Sequence, residues 1–165
     1  MKKIIWTLLT VIWIAFIFIN SLKTGFASSE ASGLLVNIAD DILAIFNIVI
    51  KRDTLSFLIR KAAHFTEFSI LGIFTYNLMK LFSFKYKIKV YKNVNISTYI
   101  IVLIICLIIA ITDETIQFFV PGRANSIYDV LIDFSGSLFT VLIVVLINLK
   151  KIKSTLNKQW FICYN

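Results

Sequence analysis

Proline and glycine are nearly missing from this chain, with one Pro and five Gly among 165 residues. So few chain breakers leave little room for long loops, and they disfavour disorder, collagen-like structure and a string of linked domains. The two cysteines, Cys106 inside an apolar run and Cys163 near a polar end, offer at most one bridge. A disulfide framework, a zinc ribbon and a C-x-x-C redox motif are thereby excluded. There is one histidine, His64, and no glycine-rich phosphate loop. Charge is scarce too, at 16% of residues against 59% apolar, a balance that suits a bilayer rather than water.

What is abundant is apolar sequence, broken at intervals by charge. Four stretches approach the roughly 20 apolar residues a spanning helix needs: residues 4–22, 62–82, 96–118 and 127–149. The net charge of +8 comes from 17 Lys and Arg against nine Asp and Glu, but the cations lie between the spans and form no basic face. Nucleic acid is therefore not expected as a partner. Eleven lysines, at 2, 3, 80, 85, 87, 89, 92, 150, 151, 153 and 158, flank one side with no acid among them. The other side holds six cations and all nine acids. The positive-inside rule then puts both termini and the middle loop in the cytoplasm.

Residues 33–50 are apolar at helical spacing, through Leu34, Leu35, Ile38, Ile42, Ile45, Phe46 and Val49, with Asn37, Asp40, Asp41 and Asn47 between. A fifth span here would place a lysine cluster outside, so the reading is an amphipathic helix on the outer surface, started by Ser28, Ser29 or Ser32. A loose outer loop is the alternative. The first span also has features of a signal peptide, with Lys2 and Lys3 before it and Gly25-Phe26-Ala27 after it, but its apolar run is long for one. Trp160, Phe161 and Tyr164 read as a cytoplasmic interfacial belt. The expectation is an all-α polytopic membrane protein in one domain over 1–165, a four-helix transmembrane bundle with an outer interfacial helix.

The polar residues gather at the outer ends of the spans. Arg60, His64 and Glu67 are spaced by four and three residues, so they share a face of the second span. Lys61 lies beside them. Asp113, Glu114 and Gln117 end the third span; Gln117 reaches either carboxylate, but the two acids diverge around the helix, and one is expected to face inward. Val120-Pro121-Gly122 forms a turn that carries Arg123. Ser126, Asp129, Asp133, Gly136 and Thr140 then follow helical spacing along the fourth span, as a seam that begins polar and becomes small. Ser126 with Asp129 has the form of a capping box. Charges in a bilayer are costly and need partners, so one shared pocket opening outward is the economical reading. The alternative is that these groups pair with one another and only fix how the spans meet.

Arg60-Lys61-Ala62-Ala63-His64-Phe65-Thr66-Glu67-Phe68-Ser69-Ile70-Leu71-Gly72, Asp113-Glu114 with Gln117, Phe119-Val120-Pro121-Gly122-Arg123, and Ser126 with Asp129, Asp133 and Gly136 resemble the VanZ-like family of bacterial membrane proteins. The resemblance covers about residues 10–147, and Asn20-Ser21 looks like that family's first outer segment. It implies an envelope location in the bacterial cell membrane. It also implies a link to lowered susceptibility to teicoplanin-type glycopeptides, with no established reaction. Many relatives have His where this chain has Ile116, and Gly where it has Thr140.

Two functions follow from these residues. In the first, Arg60, Lys61, His64, Glu67, Asp113, Glu114, Gln117, Arg123, Asp129 and Asp133 line a pocket that binds a lipid-linked or cell-wall component, or the glycopeptide itself. Membrane lipids are partners in any case. In the second, an enzyme acts on an outer-leaflet headgroup, with His64 as base, Glu67 orienting it, and Asp113 or Asp133 as acid. No cofactor is expected. A divalent cation on His64, Glu67, Asp113, Asp129 and Asp133 is the less favoured alternative. A transporter fits poorly, because no pair of broken helices recurs in matching halves.

Overall fold

The computed structural model describes residues 1–82, 89–91, 94–123 and 126–164. Among them are five helices: α1 (Lys2–Ser21), α2 (Gly25–Ile45), α3 (Arg52–Met79), α4 (Ile96–Phe118) and α5 (Ile127–Tyr164). A short antiparallel ribbon, β1 (Lys89–Tyr91) with β2 (Val94–Asn95), precedes α4. Lys85, Lys87 and Lys92 of the middle loop lie outside the described residues, as do the side chains of Trp160, Phe161 and Tyr164.

Helices α1, α4 and α5 (the last over Ile127–Lys150) are long and apolar enough to cross a membrane. Four such helices were the expectation. Although α3 has 28 residues, the polar groups along its length keep it out of that set. It nonetheless occupies the centre of the fold, touching α1, α2, α4 and α5. The core between them contains Ile17, Phe68, Leu71, Tyr99, Val102, Cys106, Ile109, Ala110 and Val141. Outside it, Ile104, Ile108, Ile111, Leu142 and Leu146 stand exposed. That inversion suits helices whose outer solvent is hydrocarbon.

Small residues bring α3 and α5 together. A Cβ on Gly136 would overlap the Phe65 carbonyl oxygen, and one on Gly72 would come within 3.1 Å of Thr140. Backbones this close expose carbonyls to neighbouring hydroxyls. Ser69 Oγ donates to the Gly136 oxygen (3.1 Å), Ser137 Oγ to Phe68 (3.1 Å) and Thr140 Oγ1 to Ser69 (2.7 Å). Such polar contacts hold helices in a solvent where apolar burial supplies no drive between them.

Helix α2 starts earlier than the sequence suggests. Thr24 caps it by accepting from the Ala27 N–H at 3.3 Å, and the Gly25 N–H donates to the Pro121 oxygen at 3.3 Å. Gly25 lies so close to Gly122 that a side chain there would strike the Gly122 carbonyl. The contact with that turn, rather than Ser28, Ser29 or Ser32, fixes the start. Past its end at Ile45 the chain turns at Asn47, whose φ of 55° is left-handed, with Asn47 N–H on Ala44 and Ile48 N–H on Leu43, each at 3.0 Å. Leu34, Leu35, Ile38, Ile42 and Ile45 are exposed, and Val36 is buried.

Candidate functional site

Four helices deliver polar groups to one end of the bundle. Asp113 on α4 and Asp133 on α5 are both 0% exposed, and Glu114 and Gln117 are only 5% and 3% exposed. Asp113 and Gln117 are one helical turn apart, and Gln117 Nε2 donates to Asp113 Oδ2 at 2.6 Å. Ser21, at the end of α1, donates to Asp113 Oδ1. Asn20 beside it donates through Nδ2 to Glu67 Oε1 at 3.0 Å, joining α1 to α3. Trp13 on α1 adds an indole N–H to the Glu67 main-chain oxygen at 2.9 Å.

His64 enters from α3, one turn before Glu67. Its Nδ1 lies 3.5 Å from Asp133 Oδ1, within ion-pair range, but without the geometry of a hydrogen bond. Neither oxygen of Asp133 has a hydrogen-bond partner among the described residues, and His64 Nδ1 has none either. One oxygen of each of Asp113 and Asp133 and a ring nitrogen of His64 all lie within 4.8 Å of one another. The His64 side chain keeps 22% of its surface, so the cluster is open on that side.

The cations do different work. Arg123, on the turn between α4 and α5, donates Nη1 to Gln117 Oε1 (2.9 Å), Nη2 to the Asn20 oxygen (3.0 Å) and Nε to the Lys23 oxygen (3.1 Å). It serves the Asn20 carbonyl in the last turn of α1, which has no basic residue of its own there, and the Lys23 carbonyl just beyond it. Burial lowers the Arg123 pKa, and the charge of Asp113 opposes that shift. Lys61 pairs with Asp129 at the start of α5. Arg60 reaches out to Ser29 Oγ on α2 at 3.4 Å, away from His64 and Glu67.

The two acids that diverge around α4 are both buried, each with its own role. Asp113 faces α1, whereas Glu114 Oε2 accepts the Ser126 N–H at 3.2 Å ahead of α5. Ser126 Oγ takes the Tyr128 N–H at 3.2 Å. The capping-box reading therefore changes: Glu114 serves the Ser126 N–H across the turn, and Asp129 is committed to Lys61.

The structure thus brings together His64, Glu67, Asp113, Gln117, Arg123 and Asp133, with Lys61 and Asp129 as a neighbouring pair and Arg60 outside. Asn20, Ser21 and Trp13 complete the cluster. The polar pair Asn20-Ser21 at the end of a long apolar run was the available signal for the first two. Nothing in the sequence marks Trp13.

No curated protein and no solved structure matches this chain. The family model described as VanZ/LLP1 matches residues 6–148, a range that contains α2, α3, α4 and every clustered polar side chain. With its apolar helices and lipid-facing surface, the chain is a multi-pass membrane protein, and it belongs to the VanZ/LLP1 family.

Proposed function

We propose that this protein binds a lipid-linked or cell-wall component in a polar pocket on the outer side of the membrane, and so lowers susceptibility to teicoplanin-type glycopeptides. One observation carries the proposal. Asn20 and Ser21, His64 and Glu67, Asp113 and Gln117, and Asp133 come from four different helices to one cluster. Groups that only stabilised packing would be satisfied pairwise, yet neither oxygen of Asp133 has a hydrogen-bond partner among the described residues, and the His64 side chain beside it stays partly exposed.

The side of the membrane follows from charge. The acid-rich ends of α3, α4 and α5 face outward if the lysine-rich ends are cytoplasmic, which makes α3 a fourth span and leaves α2 on the outer surface. The exposed apolar face of α2 suits the headgroup boundary. Arg60, reaching out to Ser29, and Lys61, paired with Asp129, are the cations beside the cluster that phosphate or carboxylate groups would meet.

A second reading has its own support. His64 Nδ1 and Asp133 Oδ1, 3.5 Å apart in a buried setting, resemble a base with an orienting carboxylate, as an enzyme acting on a headgroup would need. The test is teicoplanin susceptibility of a sensitive Gram-positive host expressing the protein at matched levels. Asp113→Asn and Asp133→Asn should each abolish the protection given by the unaltered chain. Protection that survives both substitutions overturns the pocket. If His64→Gln retains protection, binding stands and the enzyme reading is refuted.

A further inference from the structure

We infer that His64, Asp113 and Asp133 form a binding site for one divalent transition-metal ion of the Zn²⁺ or Mn²⁺ class. The three side chains come from α3, α4 and α5, so no local sequence repeat brings them together. Their donor atoms lie within 4.8 Å of one another. Around an ion with bonds of about 2.1 Å, ligand atoms stand about 3 to 4 Å apart. Small side-chain rotations would close the remaining gap.

Two independent features point to a cation rather than to an acidic cluster alone. The first is Asp133, which is fully buried, with both carboxylate oxygens free of hydrogen bonds among the described residues and Oδ1 lying 3.5 Å from His64 Nδ1. A buried carboxylate without hydrogen bonds is expensive, and metal coordination is one of the arrangements, with ion pairing, that offset it. The second is the charge balance. Asp113, Asp133 and the nearby Glu67 share this space with one imidazole, while Arg123 is turned toward Gln117 and the carbonyls of α1. A doubly charged ion supplies the missing positive charge.

One of the three ligands, Asp113, is held in place from outside. Ser21 and Gln117 each donate to Asp113, leaving a lone pair on each oxygen, and Arg123 in turn fixes Gln117. Outer hydrogen bonds of this kind orient metal-binding carboxylates. One imidazole with two carboxylates favours Zn²⁺ or Mn²⁺ over the oxygen-only preference of Mg²⁺ and Ca²⁺. Three protein ligands also leave coordination positions for water or for a phosphate oxygen. An acid-rich pocket would then be able to receive an anionic headgroup.

The test uses the full-length protein in detergent micelles, stripped with a chelator and dialysed against MnCl₂ or ZnCl₂ alone, with no lipid or antibiotic present. Bound metal measured by mass spectrometry should reach about one ion per chain. Asp133→Asn and Asp113→Asn should each weaken binding at least about tenfold, while Asp53→Asn in the first turn of α3 leaves it unchanged. Helix content by circular dichroism shows whether the variants fold. Independently of any variant, electron spin-echo spectra of the Mn²⁺-loaded protein should carry an imidazole nitrogen signal that His64→Gln removes. Substoichiometric metal on the unaltered chain, unchanged affinity in a folded Asp133→Asn protein, or a spectrum without nitrogen overturns the site. Because the probe is the metal alone, failure here leaves the antibiotic test of the pocket standing.

Discussion

Arg123 donates through Nη2 to the main-chain oxygen of Asn20 at 3.0 Å, fastening the turn between α4 and α5 to the end of α1. The same guanidinium holds Gln117, and Gln117 holds Asp113, so one side chain on a turn sets the position of a buried carboxylate. Lysine cannot copy this fork, since it has one nitrogen where three separate N–H groups are used. Arg123→Lys should therefore lower stability by about 1.5 to 3 kcal/mol, the scale of a lost hydrogen bond to a charged group. Thermal unfolding in detergent would check it. A melting temperature equal to that of the parent would show that the contacts to α1 are dispensable.

Gly136 and Gly33 should respond in opposite directions to the same substitution. A methyl group at 136 strikes the Phe65 carbonyl, which belongs to the backbone of α3 and cannot rotate away, so Gly136→Ala should force α3 and α5 apart. Overpacking of this sort costs about 1 to 3 kcal/mol. At Gly33, inside α2, a methyl group meets nothing within 4 Å. There, alanine should stabilise by about 0.5 to 1 kcal/mol through helix propensity. Paired unfolding curves decide the matter, and a neutral Gly136→Ala would deny the close helix contact.

These two positions illustrate what the sequence discloses. The small-residue seam through Gly136 and Thr140 is legible because helical spacing puts both on one face, and their partner α3 has its own small residues at Ser69 and Gly72. The convergence of polar groups is legible for a related reason, since charge in an apolar run has to find company. Pairings were less accessible. Asp129 turns to Lys61 instead of its own helix start, and Glu114 takes that helix's Ser126 N–H, because partners across a turn compete with partners along a helix. The start of α2 escaped notice because it depends on Gly25 meeting Pro121 and Gly122, nearly a hundred residues away in sequence.

Orientation is testable with two exposed positions at opposite ends of the chain's topology, Glu30 on α2 and Ser154 near the end of α5. After Cys106 and Cys163 are replaced by Ser, Glu30→Cys should react in intact cells with a thiol reagent that cannot cross the membrane. Ser154→Cys should react only after permeabilisation. The reasoning is that lysines at 150, 151 and 153 hold that end in the cytoplasm. Labelling of Ser154→Cys in intact cells would reverse the bundle and place the polar cluster on the inner side.

Asn148 provides a way to separate stability from function. Its amide donates to the hydroxyls of Tyr76 (3.1 Å) and Tyr99 (2.8 Å), whose rings are stacked with centroids 5.6 Å apart. These residues tie α3, α4 and α5 together, whereas His64 lies at mid-length of α3 and Asp113 and Asp133 lie near the opposite ends of α4 and α5. Asn148→Leu removes both hydrogen bonds and leaves two phenol groups to find other partners, which should cost about 1 to 3 kcal/mol. Melting temperature should fall accordingly. At matched protein levels, however, teicoplanin susceptibility and metal content should equal those of the parent, because no atom of the polar cluster is disturbed. If Asn148→Leu abolishes protection as Asp133→Asn is expected to, the phenotype reports the integrity of the bundle, and the pocket has no special part in it.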